Sequence, residues 1–193
     1  MNVDSKRLAP VMTTNVQVLG RKQVNRAIQA SLSDVYLAAY GDPGLPESRL
    51  DAQNFANSTI PRHARRDGFK LVLAKTGDEV SGYGYGFTGK RGQFWSDWLA
   101  GAAPADIVET WVGNHFELVD IVVDPAHRGK GIAGLLHDEL VSGLPQDRAL
   151  LATEPDDGAA ARLYTGRGWQ IIAPEIDGTK ALYGLDLRTP RST

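Results

Sequence analysis

Residues Glu117 to Leu136 read ELVDIVVDPAHRGKGIAGLL. Leu118, Val119, Ile121, Val122 and Val123 make a largely β-branched run, interrupted only by Asp120. A short, nearly continuous apolar run is the pattern of a strand buried on both faces. Asp124-Pro125 stops it, because proline has no amide hydrogen and disfavours helical backbone before it. Arg128-Gly129-Lys130-Gly131 then reads as a loop. Ile132, Leu135, Leu136 and Leu140 recur at helical spacing, so an amphipathic helix is predicted to begin near Gly131.

Strand, basic glycine loop and helix together outline an anion site. The first amides of a helix lack internal partners and carry the positive end of its dipole. Glycines at 129, 131 and 134 allow phosphates to approach the backbone. Arg128 and Lys130 add full charges beside them. Two ligand readings compete. Gly129-x-Gly131-x-x-Gly134 matches the dinucleotide fingerprint, with Glu154 ~20 residues on as the ribose acid. Against it, Asp124 to Arg128 separate the strand from the glycines, and the stretch lies past the middle of the chain. The phosphate loop of nucleotide hydrolases is excluded, since G-x-x-x-x-G-K-[ST] does not occur.

The same stretch resembles the acetyl-CoA-binding motif of the GCN5-related N-acetyltransferases (GNAT), R/Q-x-x-G-x-G/A after a V-x-P turn. Val123-Asp124-Pro125 supplies the turn, and Arg128, Gly131 and Ala133 fill the motif positions. A second block follows. Ala159 to Trp169, AAARLYTGRGW, is similar to the family's A-x-x-L-Y-x-x-x-G-F signature, with Trp169 in place of the usual phenylalanine.

The 193 residues suit one domain with a sizeable core. A formal net charge of −2 gives no sign of general affinity for nucleic acid or membrane. There is no cysteine, so a disulfide framework and a thiol nucleophile are excluded. Lys6 and Arg7 precede no apolar stretch, so no secretory signal is read, and a cytoplasmic location is expected.

Taken in order, residues 1–14 read as a tail, and Asn15–Leu19 as a first strand. Gln23–Tyr40 has helical periodicity, ended by Gly41-Asp42-Pro43-Gly44. Glu47–Arg65 is a second, weaker helical stretch in which Pro61 argues for a break. His63, Arg65 and Arg66 read as a solvated face. Phe69–Ala74 and Val80–Phe87 form a hairpin through Thr76-Gly77-Asp78. Tyr83, Tyr85 and Phe87 fall on one face of the second strand and Gly82, Gly84 and Gly86 on the other. Such glycines mark close approach, by a packed helix or by a ligand, and the packed helix is favoured. An insertion at about 89–114 carries Phe94, Trp95, Trp98 and Trp111. It is open to two readings: an acceptor-binding lid, or a dimer contact or extra piece of core. Arg148–Thr153 reads as a strand. A helix capped by Asp156 or Asp157 runs to about Arg167, and Trp169–Ala173 and Lys180–Leu187 are final strands. Residues 15–188 thus form one domain and 189–193 a tail. The expected class is α+β, a mixed, mostly antiparallel central sheet flanked by helices in the order β-α-α-β-β-β-α-β-α-β-β. The GNAT fold has this order.

The resemblance implies an acetyl-CoA-dependent N-acetyltransferase without a metal. Its acceptor would be a primary amine of a small molecule or peptide, attacking directly in a ternary complex, in a chain that dimerises. Pyrophosphate would sit on Arg128, Gly129, Lys130, Gly131, Ile132 and Ala133. Pantetheine would pair with the backbone of Ile121, Val122 and Val123. Tyr164 matches the tyrosine that protonates the departing sulfur. Glu117 is the first choice for the base, Asp120 the reserve and His115 the third. Strict alternation places Glu117, Val119 and Ile121 on one face and Asp120 on the other, unless a bulge intervenes. Asp157 stands where the family often has asparagine. Arg162 and Arg167 are within reach of phosphates but need no such role. A non-catalytic CoA-binding domain and a nicotinamide-dependent oxidoreductase are the alternative functions.

Overall fold

The computed structural model describes residues 13–41, 47–155 and 158–188. Among them, seven strands form one sheet: β1 (Thr14–Leu19), β2 (Lys70–Thr76), β3 (Glu79–Gly89), β4 (His115–Val123), β5 (Arg148–Thr153), β6 (Gln170–Ala173) and β7 (Ala181–Asp186). Their order across the sheet is β1-β2-β3-β4-β5-β7-β6. Every pairing is antiparallel except β4 with β5, which are joined by the crossover helix α6 (Ile132–Val141). This is the expected mixed α+β architecture.

The remaining helices follow local signals. Helix α1 (Arg26–Tyr40) starts where the Asn25 side chain accepts from the Ile28 amide at 3.1 Å. Helix α2 (Arg49–Asn54) opens on a Ser48/Asp51 capping box. The expected break at Pro61 does not occur. A π-helical turn, Phe55–Thr59, leads into α3 (Ile60–His63), with the Ile60 amide bonded to the Phe55 carbonyl. The wider turn just before Pro61 lets the helix continue past a residue that has no amide hydrogen. The insertion forms α4 (Phe94–Ala102) and α5 (Ala105–Trp111). Helix α7 (Ala159–Thr165) has Gly158 at its N-cap; Asp156, Asp157 and the turn at 42–46 lie outside the described residues.

The glycine stripe of β3 is a packing device. Ile132, Leu136 and Leu140 of α6 lie directly on it, so that a Cβ on Gly84 would stand 2.7 Å from Leu140 Cδ1. On the opposite face Tyr83, Tyr85 and Phe87 pack with Leu32, Val35 and Ile60. The α4–α5 insertion covers the other half of that second face. Leu99, Val108 and Val112 form a cluster with Leu150, Ile176 and Leu182, and the Trp111 ring rests on Gly184. The apolar side of the insertion therefore adds a piece of core, although much of the segment is exposed and Phe94 is 84% exposed.

One irregularity changes the reading of the central strand. Tyr85 pairs with Asp120, but Gly86 pairs with Leu118, so Val119 is an extra residue in β4. This bulge shifts the alternation. Glu117, opposite Phe87, and Asp120, opposite Tyr85, therefore share the tyrosine face. A Cβ at Gly86 would run into the Glu117 carbonyl and the Phe116 ring beside the bulge. Gly86→Ala is expected to destabilise the protein by about 1–3 kcal/mol in urea unfolding, the usual cost of overpacking.

Candidate active site

Strands β4 and β5 pair only at Phe116–Ala149 and Glu117–Leu150. Beyond Glu117 the strands part, and the edge of β4 that faces β5 has no ladder partner there. A cavity of about 580 Å³ occupies the gap and runs to the start of α6. Ile121, Val122 and Val123 form one wall. Arg128, Gly129, Gly131, Ile132 and Ala133 form the end, and α7 the opposite wall through Ala160, Leu163 and Tyr164. Lys130 was expected with them but does not line the cavity. Its side chain is exposed and its ammonium reaches the Ala126 carbonyl.

The loop between β4 and α6 holds itself in shape. Asp124 accepts from the Ala126 amide at 2.8 Å, and Arg128 Nε donates to the Val123 carbonyl at 3.2 Å. Gly129 and Gly131 both have φ +76°, a conformation that L side chains rarely adopt, with open space where a Cβ would stand. The amides that start α6 therefore face the cavity end unobstructed. Gly134 serves a different purpose from the one expected: the Arg167 guanidinium occupies the place of its Cβ.

The candidate acid stands on α7 and the three candidate bases on β4, and of the four only Tyr164 lines the cavity. Tyr164 is buried on α7 and lines the cavity. Burial and the nearby Asp120 raise its phenol above the ordinary value, which keeps it a proton donor at neutral pH. Glu117 is buried, and its Oε2 has no hydrogen-bond partner among the described residues. Burial pushes its carboxyl up to about 7, opposed by the Arg66 charge. Asp120 accepts from Tyr83 at 3.2 Å and from Tyr40 at 3.4 Å. Burial carries it up to about 7 as well, against those hydrogen bonds. Neither Glu117 nor Asp120 lines the cavity, although Tyr40, which does, bonds Asp120; His115 does not line it either. Its Nδ1 accepts from the Gly113 amide, its ring packs beside Trp95 and Gly89, and burial lowers it to about 4.

Profile comparison matches residues 27–169 to the acetyltransferase (GNAT) family. The chain belongs to the GNAT acetyltransferase family. A GCN5-like protein acetyltransferase of Mycobacterium tuberculosis is 28% identical over 99 residues, which is 47% of this chain and 48% of that one. The chain thus spans about half the length of the curated relative it matches. The crystal structure of PH1933 from Pyrococcus horikoshii superposes with a TM-score of 0.65 at 20% identity, over 89% of this chain and 98% of that one. PaiA N-acetyltransferase from Thermoplasma acidophilum, in complex with coenzyme A, gives 0.57 at 10% identity, over 91% and 99%. These two likenesses concern the fold. The oxidoreductase reading has no support here: the sheet of this GNAT domain is not doubly wound, a single-turn helix at Pro125–His127 separates strand from glycines, and Glu154 is exposed outside the cavity.

Three residues packed around the tyrosine face of this GNAT domain carried no local signal. Tyr40 lines the cavity and reaches Asp120 across 80 residues of sequence. His63 and Arg66 turn inward rather than forming a solvated face, His63 to the Tyr85 hydroxyl at 3.2 Å and Arg66 over the Phe87 ring at 5.1 Å. Arg65 is exposed as expected. Burial raises Glu117 above the value that an unfolded chain allows, so the folded state holds its proton more tightly. That stabilisation is complete below about pH 4 and is lost as pH rises through about 7. Urea midpoints of wild type and Glu117→Gln are expected to converge in acid and to separate in the variant's favour at mildly alkaline pH.

Proposed function

We propose that this protein is an acetyl-CoA-dependent N-acetyltransferase acting on a primary amine of a small molecule or peptide. The supporting observation is the parting of β4 and β5 after two residue pairs, over a cavity that ends on the open amides of α6. The residues fit the cosubstrate. Free backbone on β4 suits an amide-bearing arm added as an extra strand, and two positive-φ glycines leave room for phosphates. When bound, acetyl-CoA supplies an acetyl group on a good leaving group. Ile121 to Val123 would align the arm, and Arg128 to Ala133, with the exposed Lys130 at the rim, would hold the pyrophosphate.

Glu117 is assigned as the base that takes the proton of the acceptor's ammonium, leaving the neutral amine to attack the carbonyl carbon. A carboxyl near neutral pKa suits that task. Asp120 is the reserve: it stands on the same face, held by two tyrosines. Tyr164 gives its phenol proton to the departing sulfur.

A thermal-shift series with acetyl-CoA, coenzyme A and NADH comes first. Acetyl-CoA and coenzyme A are expected to stabilise the wild type, and Arg128→Ala to lose much of the effect. An amine panel read by thiol release then compares variants. Tyr164→Phe and Glu117→Gln are expected to cut kcat by about 10²–10⁴-fold while coenzyme A still binds. A shift by NADH alone overturns the reading, and coenzyme A binding with no turnover across the panel replaces it with a binding domain.

A further inference from the structure

The rim of the cavity is tied to the protein interior by a chain of four side chains. Trp169 Nε1 donates to His137 Nε2 at 2.8 Å. An indole nitrogen only donates, so Nε2 of His137 is the acceptor and its ring proton lies on Nδ1. That Nδ1 faces Asp138 Oδ1 at 2.8 Å. Asp138 in turn receives Arg167 in a two-point pair, Nε to Oδ1 at 2.8 Å and Nη2 to Oδ2 at 3.3 Å. The interior end is fully dry, with the His137 side chain 0% exposed, while Arg167 is 30% exposed and lines the cavity. Burial pushes the Asp138 carboxyl up, but Arg167 and His137 outweigh it and hold it below its ordinary value.

Gly134 completes the arrangement. It lies in the first turn of α6, and the guanidinium fills the space its Cβ would take. The aromatic end serves the other wall of the site, for the Trp169 ring meets Tyr164 edge to face with centroids 5.7 Å apart. The chain therefore lies against both the helix start that would receive phosphates and the tyrosine that faces the reaction.

We propose that Trp169, His137 and Asp138 are positioning residues that aim the Arg167 guanidinium, seated on Gly134, at the phosphate-bearing half of the cavity's ligand. This rests on the reading of the cavity as a coenzyme A site. Trp169 sets the imidazole tautomer, the imidazole and the guanidinium share the carboxylate, and the guanidinium is held in one orientation before a ligand arrives. Loss of the indole donor removes the bond that fixes the tautomer and lets the imidazole turn its lone pair toward the carboxylate.

The test is calorimetric titration with coenzyme A and with pantetheine, which has the same arm and no phosphate. Trp169→Phe keeps the ring and removes the donor; Asp138→Asn, at the wet end, removes the charge and serves if the first variant fails to fold. Each is expected to weaken coenzyme A about five-fold, the worth of one hydrogen bond, and to leave pantetheine unchanged. Gly134→Ala, which displaces the guanidinium directly, is expected to copy this pattern. Equal losses for both ligands would mean a packing role and overturn the proposal, as would unchanged affinity for both. If the wild type binds neither ligand, the coenzyme A reading falls first and the proposal with it.

Discussion

The parallel ladder between β4 and β5 stops after two pairs of residues. Parallel strands joined by a helix normally continue side by side, because unpaired backbone is costly wherever it is buried. Here the strands part at the level where β4 bulges at Val119. The backbone groups freed on β4 open onto a cavity, so they remain available to a ligand that can act as a strand. The placement of loop, helix start and tyrosine around that opening follows from where the ladder ends.

Bulge and splay act together on the chemistry. Without the extra residue, Glu117 and Asp120 would stand on opposite faces of β4. With it, both carboxyls lie on the face lined by Tyr83 and Tyr85, and burial raises both toward neutrality. Their surroundings then separate them. Asp120 is bound by two phenol hydroxyls, while Glu117 keeps one oxygen without a partner among the described residues and has the Arg66 charge acting on it.

The rest of the fold supports this region from both faces. The glycines of β3 let α6 approach closely, which fixes the helix start against the end of β4. On the other face the ring stack of Tyr36, Phe55 and Tyr83 ties α1 and the π-turn to the sheet and brings Tyr40 to Asp120. The α4–α5 insertion closes the half-sheet over β5 and β7 with its own apolar cluster, so its tryptophans bury a surface that would otherwise be open to water.

The sequence by itself did not show the helices α4 and α5 of the insertion, but it determined the order of the strands, the strand–loop–helix around Arg128 to Ala133 and the two-faced β3, and it named Tyr164 and Glu117 as candidates. These are local properties: periodicity, proline and glycine punctuation, and short motifs are all read within one turn or one strand. Only the tertiary structure decided which groups meet. The bulge that unites Glu117 and Asp120 is a register between two strands, and neither strand encodes it alone. The inward turn of His63 and Arg66, the reach of Tyr40 to Asp120 and the seating of Arg167 on Gly134 join residues tens of positions apart. Lys130 shows the converse. It stands inside a motif, yet side-chain direction on a tight loop carries it to solvent. Contacts of this kind depend on packing of whole elements against one another, and residue spacing along the chain does not contain that geometry.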